Sequence, residues 1–312
     1  MSAHRLIGMV RDVINWDDTR TFYREFGLTE AGPGAFSSTV GGVQLELRRA
    51  ETPAIVRIDI AVDDRADLDT IQANLRAMGI SASPAGASMD VRDPSTGILV
   101  RLRVASRLPV EHPAEVGELR RDDLVPREQV HPLRLGHIGI GCTDVAGGER
   151  FFVDGIGMRL SDYVVGGPFM RFGRDHHNIV LVPAPFTLLH HTAWKVESVD
   201  QIGFGGTQMI ENHPKRHAWG LGRHAASANY FWYLRDPSGA FAEYYYSDLD
   251  ERAPDEFFWD RLADMPELPV AAWASPALVD APFALTPEEM PAPVLEAALL
   301  GGHGTDREEA TR

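Results

Sequence analysis

Cysteine is almost absent from this 312-residue chain: Cys142 stands alone, so no internal disulfide is possible and a reducing compartment is expected. Long apolar runs are missing too. None approaches the ~20 residues that span a bilayer, and residues 1–10 lack the apolar core of a secretory leader. A soluble, cytoplasmic protein is the expectation. Positive charge is scarce, with 30 Lys and Arg against 45 Asp and Glu for a net charge of −15. That argues against nucleic acid or an anionic membrane as the main partner, because both are gripped through a basic footprint. It leaves the charge of an internal pocket open. What remains is an ordinary globular composition, 44% hydrophobic and 24% charged, long enough for about two domains whose cores need no covalent staple.

The chain echoes itself. Arg92-Asp93-Pro94-Ser95-Thr96-Gly97 returns as Arg235-Asp236-Pro237-Ser238-Gly239, the aspartates 143 residues apart. Pro fixing φ and Gly permitting positive φ make this a turn between two strands. A second echo opens each half. Asp17 and Asp18 precede Phe22-Tyr23 and Phe26-Gly27, while Asp144 precedes Phe151-Phe152 and Ile156-Gly157. Each reads as an acidic cap, an amphipathic helix and a glycine stop. Similar helices are expected near 66–78 and 198–209. Four units follow, at roughly 4–49, 53–105, 134–184 and 189–248, each a strand, a helix and several strands. Residues 105–132, rich in Pro and charge, read as a linker. Prolines 254, 266, 269, 276 and 282 break the C-terminal region, where a helix is expected only at 255–265 and a disordered tail at 301–312.

Three metal-ligating side chains recur at unit spacing. His137 and His191 lie in alternating runs that open the third and fourth units, and Glu243 ends the strand after the second Asp-Pro-Ser-Gly turn. The intervals are 54 and 52 residues. Two imidazoles and one carboxylate leave adjacent positions open on a divalent metal, which suits non-haem Fe(II). The first half is an internal control. Aligning the units puts Gly8 with His137, Arg57 with His191 and Arg101 with Glu243, and none of these is a usual ligand. A lone strand histidine is more often a hydrogen-bonded core residue, but three coincidences at matching positions outweigh that reading.

The runs Gly136-His137-Ile138, Leu189-His190-His191-Thr192-Ala193 and Ala242-Glu243-Tyr244 resemble the ligand motifs of type I extradiol ring-cleaving dioxygenases, of the vicinal oxygen chelate superfamily. The resemblance covers about residues 4–248 and is strongest from Leu135 onward. It implies an α+β chain of two domains, each a pair of βαβββ modules forming a half-open barrel. The first domain would occupy 1–110 without metal, 111–132 would link, 133–250 would be catalytic and 251–312 would form an extension. It further implies Fe(II), with Mn(II) as the alternative, held by His137, His191 and Glu243, and cleavage of a catechol by O2. His177 matches the family's acid/base histidine, His224 the substrate-side histidine, and Tyr233, ten residues before Glu243, the tyrosine that bonds the catecholate. A homo-oligomer is expected by analogy.

Of the adjacent His176 and His177, strand alternation lets only one face the barrel, and His177 is the choice. Tyr245, Tyr246 and Trp232 read as packing. Phe169, Met170, Phe186 and Trp194 are expected to wall an apolar pocket, with Phe257, Phe258 and Trp259 of the extension closing over the mouth. Two other functions compete: a metal-dependent isomerase or lyase using the metal as a Lewis acid, and a metal-free binding protein.

Overall fold

The computed structural model describes residues 3–108, 129–164, 167–252, 255, 257–260 and 270–275. The first module runs β1 (Ala3–Val13), α1 (Trp16–Glu25), β2 (Thr29–Gly32), β3 (Ala35–Ser37) and β4 (Val43–Arg49). The second runs β5 (Ala54–Val62), α2 (Arg65–Ala77), β6 (Ala82–Ala85), β7 (Ser88–Arg92) and β8 (Leu99–Val104). The third is β9 (Arg134–Cys142), α3 (Val145–Arg150), β10 (Arg159–Val164), β11 (Gly167–Arg171) and β12 (Ile179–Pro183). The fourth is β13 (Leu188–Lys195), α4 (Val199–Glu211), β14 (His217–His224), β15 (Tyr230–Arg235) and β16 (Phe241–Tyr246). A short helix α5 (Asp248–Arg252) and a strand β17 (Ala271–Ala274) follow.

Local chemistry accounts for the helices. Asp64 and Asp67 form a reciprocal capping box at the start of α2, whose Leu68, Ile71 and Leu75 recur on one buried face. Ser198 caps α4 by accepting from Gln201 N. In the third module Asp144 caps Gly147, and α3 continues into a wider π-helical turn at Phe151–Ile156 before Gly157 stops it at φ +89°. The acidic cap expected for α1 is not what forms. Its N-cap is Asn15, whose side chain makes no capping bond and instead donates to the Pro237 carbonyl 2.6 Å away.

The modules pair into two mixed sheets, ordered β2-β3-β4-β1-β5-β8-β7-β6 and β10-β11-β12-β9-β13-β16-β15-β14-β17. In each, the first strands of the two modules run antiparallel at the centre, and each is flanked in parallel by its own module's last strand. The second sheet is a curled half-barrel, and the fold is the α+β arrangement of paired βαβββ modules that the resemblance implies. The registers repeat as well. Val10 faces Arg57 as Gly139 faces His191, and Asp59 faces Arg101 as Ala193 faces Glu243.

The halves meet through reciprocal contacts. The turn at 236–239 sits on the start of α1, with Asn15 on Pro237 and Thr19 2.9 Å from Ser238. The turn at 93–97 sits on the start of α3, with the Ser95 hydroxyl 3.5 Å from Asp144. Between them Arg11 donates to Asp236, both out of water, and Phe26 stacks on Tyr244 at 4.0 Å. One apolar cluster runs through both halves and includes Val130. Most of the expected linker, residues 109–128, lies outside the described residues, as do 301–312 and all but 255 and 257–260 of the helix expected at 255–265. No described helix is long and apolar enough to cross a membrane.

Candidate metal centre

Strand pairing brings the three proposed ligands together from distant sequence. His137 on β9 lies opposite Ala193 on β13, and Ala193 lies opposite Glu243 on β16. His191, two residues before Ala193 and on the same face of β13, pairs with Gly139 and lays its ring over it. Glycine at 139 is required for this approach, because a Cβ there would run into the His191 ring. Tyr245 packs behind His137, ring centroids 5.0 Å apart, over Gly136, where a Cβ would meet the phenol.

One atom from each of His137, His191 and Glu243 falls within 4.8 Å of the others. His137 Nε2 lies 3.1 Å and His191 Nε2 3.7 Å from Glu243 Oε2. All three side chains are buried. His190 Nδ1 is 2.7 Å from His191 Nδ1, so the outer imidazole occupies that nitrogen and turns Nε2 toward the carboxylate. His191 Nε2 and Glu243 Oε1 nevertheless have no hydrogen-bond partner, although buried polar atoms are normally satisfied. Two imidazoles and one carboxylate with ligand atoms within 4.8 Å of one another, and two buried polar atoms left unsatisfied among them, fit a divalent metal ion.

The other three proposed site residues border the same space. His177 packs on His137 with centroids 4.1 Å apart; His176 turns away onto Trp259 and touches His177 through Nδ1 to Nδ1 at 3.0 Å. Tyr233 stands directly opposite Glu243 across the β15–β16 hairpin, so the ten-residue interval is a register. His224, at the end of β14, approaches the Tyr233 hydroxyl at 3.2 Å through Nε2 and donates from Nδ1 to the Val270 carbonyl at 2.9 Å. Its ring stacks on Phe231 at 4.0 Å.

Burial sets the protonation of this cluster. It holds His177 and His191 well below the ordinary histidine range, brings His176 to about 3 and lowers His224. Burial, reinforced by the Glu243 charge, keeps the Tyr233 hydroxyl protonated far above its usual value.

The cavity over the triad is lined by His137, His177, His191, His224 and Tyr233 together with Phe169 and a set of residues that sequence reasoning missed: Val164, Val182, Ala226, Ser227 and Val270. The expectation that Met170 and Trp194 would wall it is corrected. Met170 follows the cavity-lining Phe169 and Trp194 lies three residues past the cavity-lining His191, so strand alternation turns each into the core. Phe186 does not line it either. Of the extension, Phe257 is exposed under Arg159, while Trp259 is buried and donates to the Arg174 carbonyl. β17 extends the sheet beside β14, and Val270 just before it faces the cavity.

In the first half the corresponding positions hold ion pairs instead. Arg57 bonds Asp59 at 2.8 Å and Arg101 bonds Asp90 at 2.7 Å, with no cluster of His and carboxylate ligands among the described residues there.

No family model matches the chain. It is 37% identical over 126 residues to metapyrocatechase 2 of Cupriavidus necator, which covers 39% of each chain. It is 28% identical over 203 residues to an iron-dependent extradiol dioxygenase of Rhodococcus jostii, covering 57% of this chain and 65% of that one. The matched stretches span less than two thirds of either relative's length. Among solved structures, the Mn(II)-bound glyoxalase of Novosphingobium aromaticivorans superposes with a TM-score of 0.64 at 25% identity, over 80% of this chain and 83% of that one.

Proposed function

We propose that this chain, which belongs with the extradiol dioxygenases of the vicinal oxygen chelate fold, opens the ring of a catecholic compound with O2. The reading assigns the catalytic unit to residues 133–250 and a scaffold role to 1–110. The observation that carries it is the buried convergence of His137, His191 and Glu243 on one point, with two orphaned atoms, beside His177, His224 and Tyr233. A single buried thiol, Cys142, fits a reducing, cytoplasmic setting.

His137, His191 and Glu243 would hold Fe(II) or Mn(II), which would supply the redox chemistry that lets O2 react with a catechol. The chain's own groups do the rest. The apolar cavity excludes water from the ring and presents its two hydroxyls to the triad. Tyr233, protonated at neutral pH, donates a hydrogen bond at a substrate oxygen. His224 offers Nε2 as acceptor, since its Nδ1 proton is committed to Val270. His177 is neutral and has Nδ1 engaged by His176, which leaves Nε2 to take and return a proton. The carbon–carbon bond beside the diol breaks and both atoms of O2 enter a yellow muconic semialdehyde-type product.

The likeness to a Mn(II)-bound glyoxalase supports a second reading, in which the metal is only a Lewis acid for isomerisation or lysis. Oxygen decides between them. Anaerobically purified protein is loaded with Fe(II) or Mn(II), mixed with catechol and 3-substituted catechols, and opened to air. Stoichiometric O2 uptake with yellow product, lost in His191→Ala, is the expected result. Bound metal with no uptake from any catechol would replace this reading with the Lewis-acid one.

A further inference from the structure

The cavity is built without a place for a second negative charge. Apart from the triad and its neighbours His177, His224 and Tyr233, its walls are Val164, Phe169, Val182, Ala226 and Val270 with Ser227, and among the described residues no Lys or Arg lines it. Its one remaining polar side chain, Ser227, is buried and spends its hydroxyl on Asn229. Three arginines of the second half are committed elsewhere. Arg171 bonds Asp260, Ser161 and the Leu160 carbonyl; Arg134 bonds Asp175; Arg223 bonds the Ala228 carbonyl and lies 3.6 Å from Asp248.

Resting on the ring-cleavage reading, we infer that the substrate is an uncharged catechol bearing an apolar substituent, and that Val164, Val182 and Val270 determine that specificity. The catechol hydroxyls take the triad and its neighbours His177, His224 and Tyr233, so the substituent is left to the hydrocarbon walls. An alkyl group there gains roughly fourfold in affinity per buried methylene. A carboxylate there would be desolvated with no counter-cation, a loss of about 100-fold or more.

The test is anaerobic calorimetric titration of the Fe(II)-loaded protein with catechol, 3-propylcatechol, 4-propylcatechol and 3,4-dihydroxyphenylacetate. The expected result is a propylcatechol binding more than about tenfold tighter than catechol, and the arylacetate about 100-fold weaker than 4-propylcatechol. Arylacetate binding as tightly as 4-propylcatechol, with catechol also bound, overturns the inference and leaves ring cleavage standing. No catechol bound by metal-loaded protein overturns both. Val182→Arg supplies the missing cation and should narrow the propyl-to-carboxylate ratio at least tenfold. If that variant fails to fold, the wild-type series decides alone.

Discussion

Asp236→Ala should be among the most damaging single changes outside the metal centre. Arg11 and Asp236 are 225 residues apart and pair across the seam between the halves, their side chains 2% and 0% exposed. Asp236 also accepts from the Tyr23 hydroxyl at 3.2 Å and from the backbone amides of Ser238 and Ala240 at 2.8 and 3.2 Å. The substitution therefore strands a guanidinium where water cannot reach it. Breaking a buried pair from one side costs roughly 3–5 kcal/mol, and the lost turn bonds add about 1 kcal/mol. At about 2 °C per kcal/mol for a unit of this size, the melting temperature should fall by about 10 °C. Arg11→Met should cost nearly as much, whereas the double variant removes both charges and should regain about 1–3 kcal/mol of the summed loss. Urea unfolding of all four proteins at pH 7.5, with unchanged m-values, measures the cycle. Metal affinity should fall alongside, because the same turn leads into β16 and Glu243. Single costs below about 1 kcal/mol, or costs that simply add, would refute the reasoning.

Gly139→Ala should leave the far-ultraviolet circular dichroism intact and abolish metal retention through a desalting column, since the new methyl displaces His191; full retention of metal would show the ligand geometry to be misread. Tyr233→Phe, which loses the hydroxyl near His224, should lower kcat/KM for ring cleavage about 10- to 100-fold with little change in melting temperature. Metal-free protein should lose stability in acid. Burial lowers His176, His177, His191 and His224, so the unfolded chain binds more protons below about pH 6.5. Their contribution is complete above that pH and is lost below it, at up to roughly 1.4 kcal/mol per pH unit per histidine. Melting curves between pH 7.5 and 5 check the sign, and a flat profile would contradict it.

The duplicated modules were legible because turn and cap chemistry is local: Asp93 and Asp236 announce the same turn wherever they stand. The ligand positions were legible for a related reason, since equal spacing in equal modules means equal register, as the match of Val10–Arg57 with Gly139–His191 illustrates. The pocket wall was less so. Met170 and Trp194 are as apolar as true wall residues, and only the phase of alternation against Phe169 and His191 separates them. Val270 was beyond reach, because it arrives from past a proline-rich stretch that carries no periodicity. His190 looked like its neighbour, and its position behind His191 comes from strand facing on β13. His176 and His177 lie in the loop between β11 and β12 and not on the strand expected for them, so it is that loop which turns His176 away. Arg11 gave no signal, its partner being most of the chain away.

The reciprocal seating of each Asp-Pro-Ser turn on the opposite half's first helix is the contact pattern a twofold axis generates, the same patch serving both partners. The two halves differ at the corresponding positions, where the first holds arginine–aspartate pairs and the second His137, His191 and Glu243. The seam differs too: Arg11 reaches Asp236, but the residue at Arg11's place in the second half is Ile140, and Asp93 turns to Thr96 instead. The halves have thereby become a lock and its key, each shaped to accept the other and no longer a copy of itself.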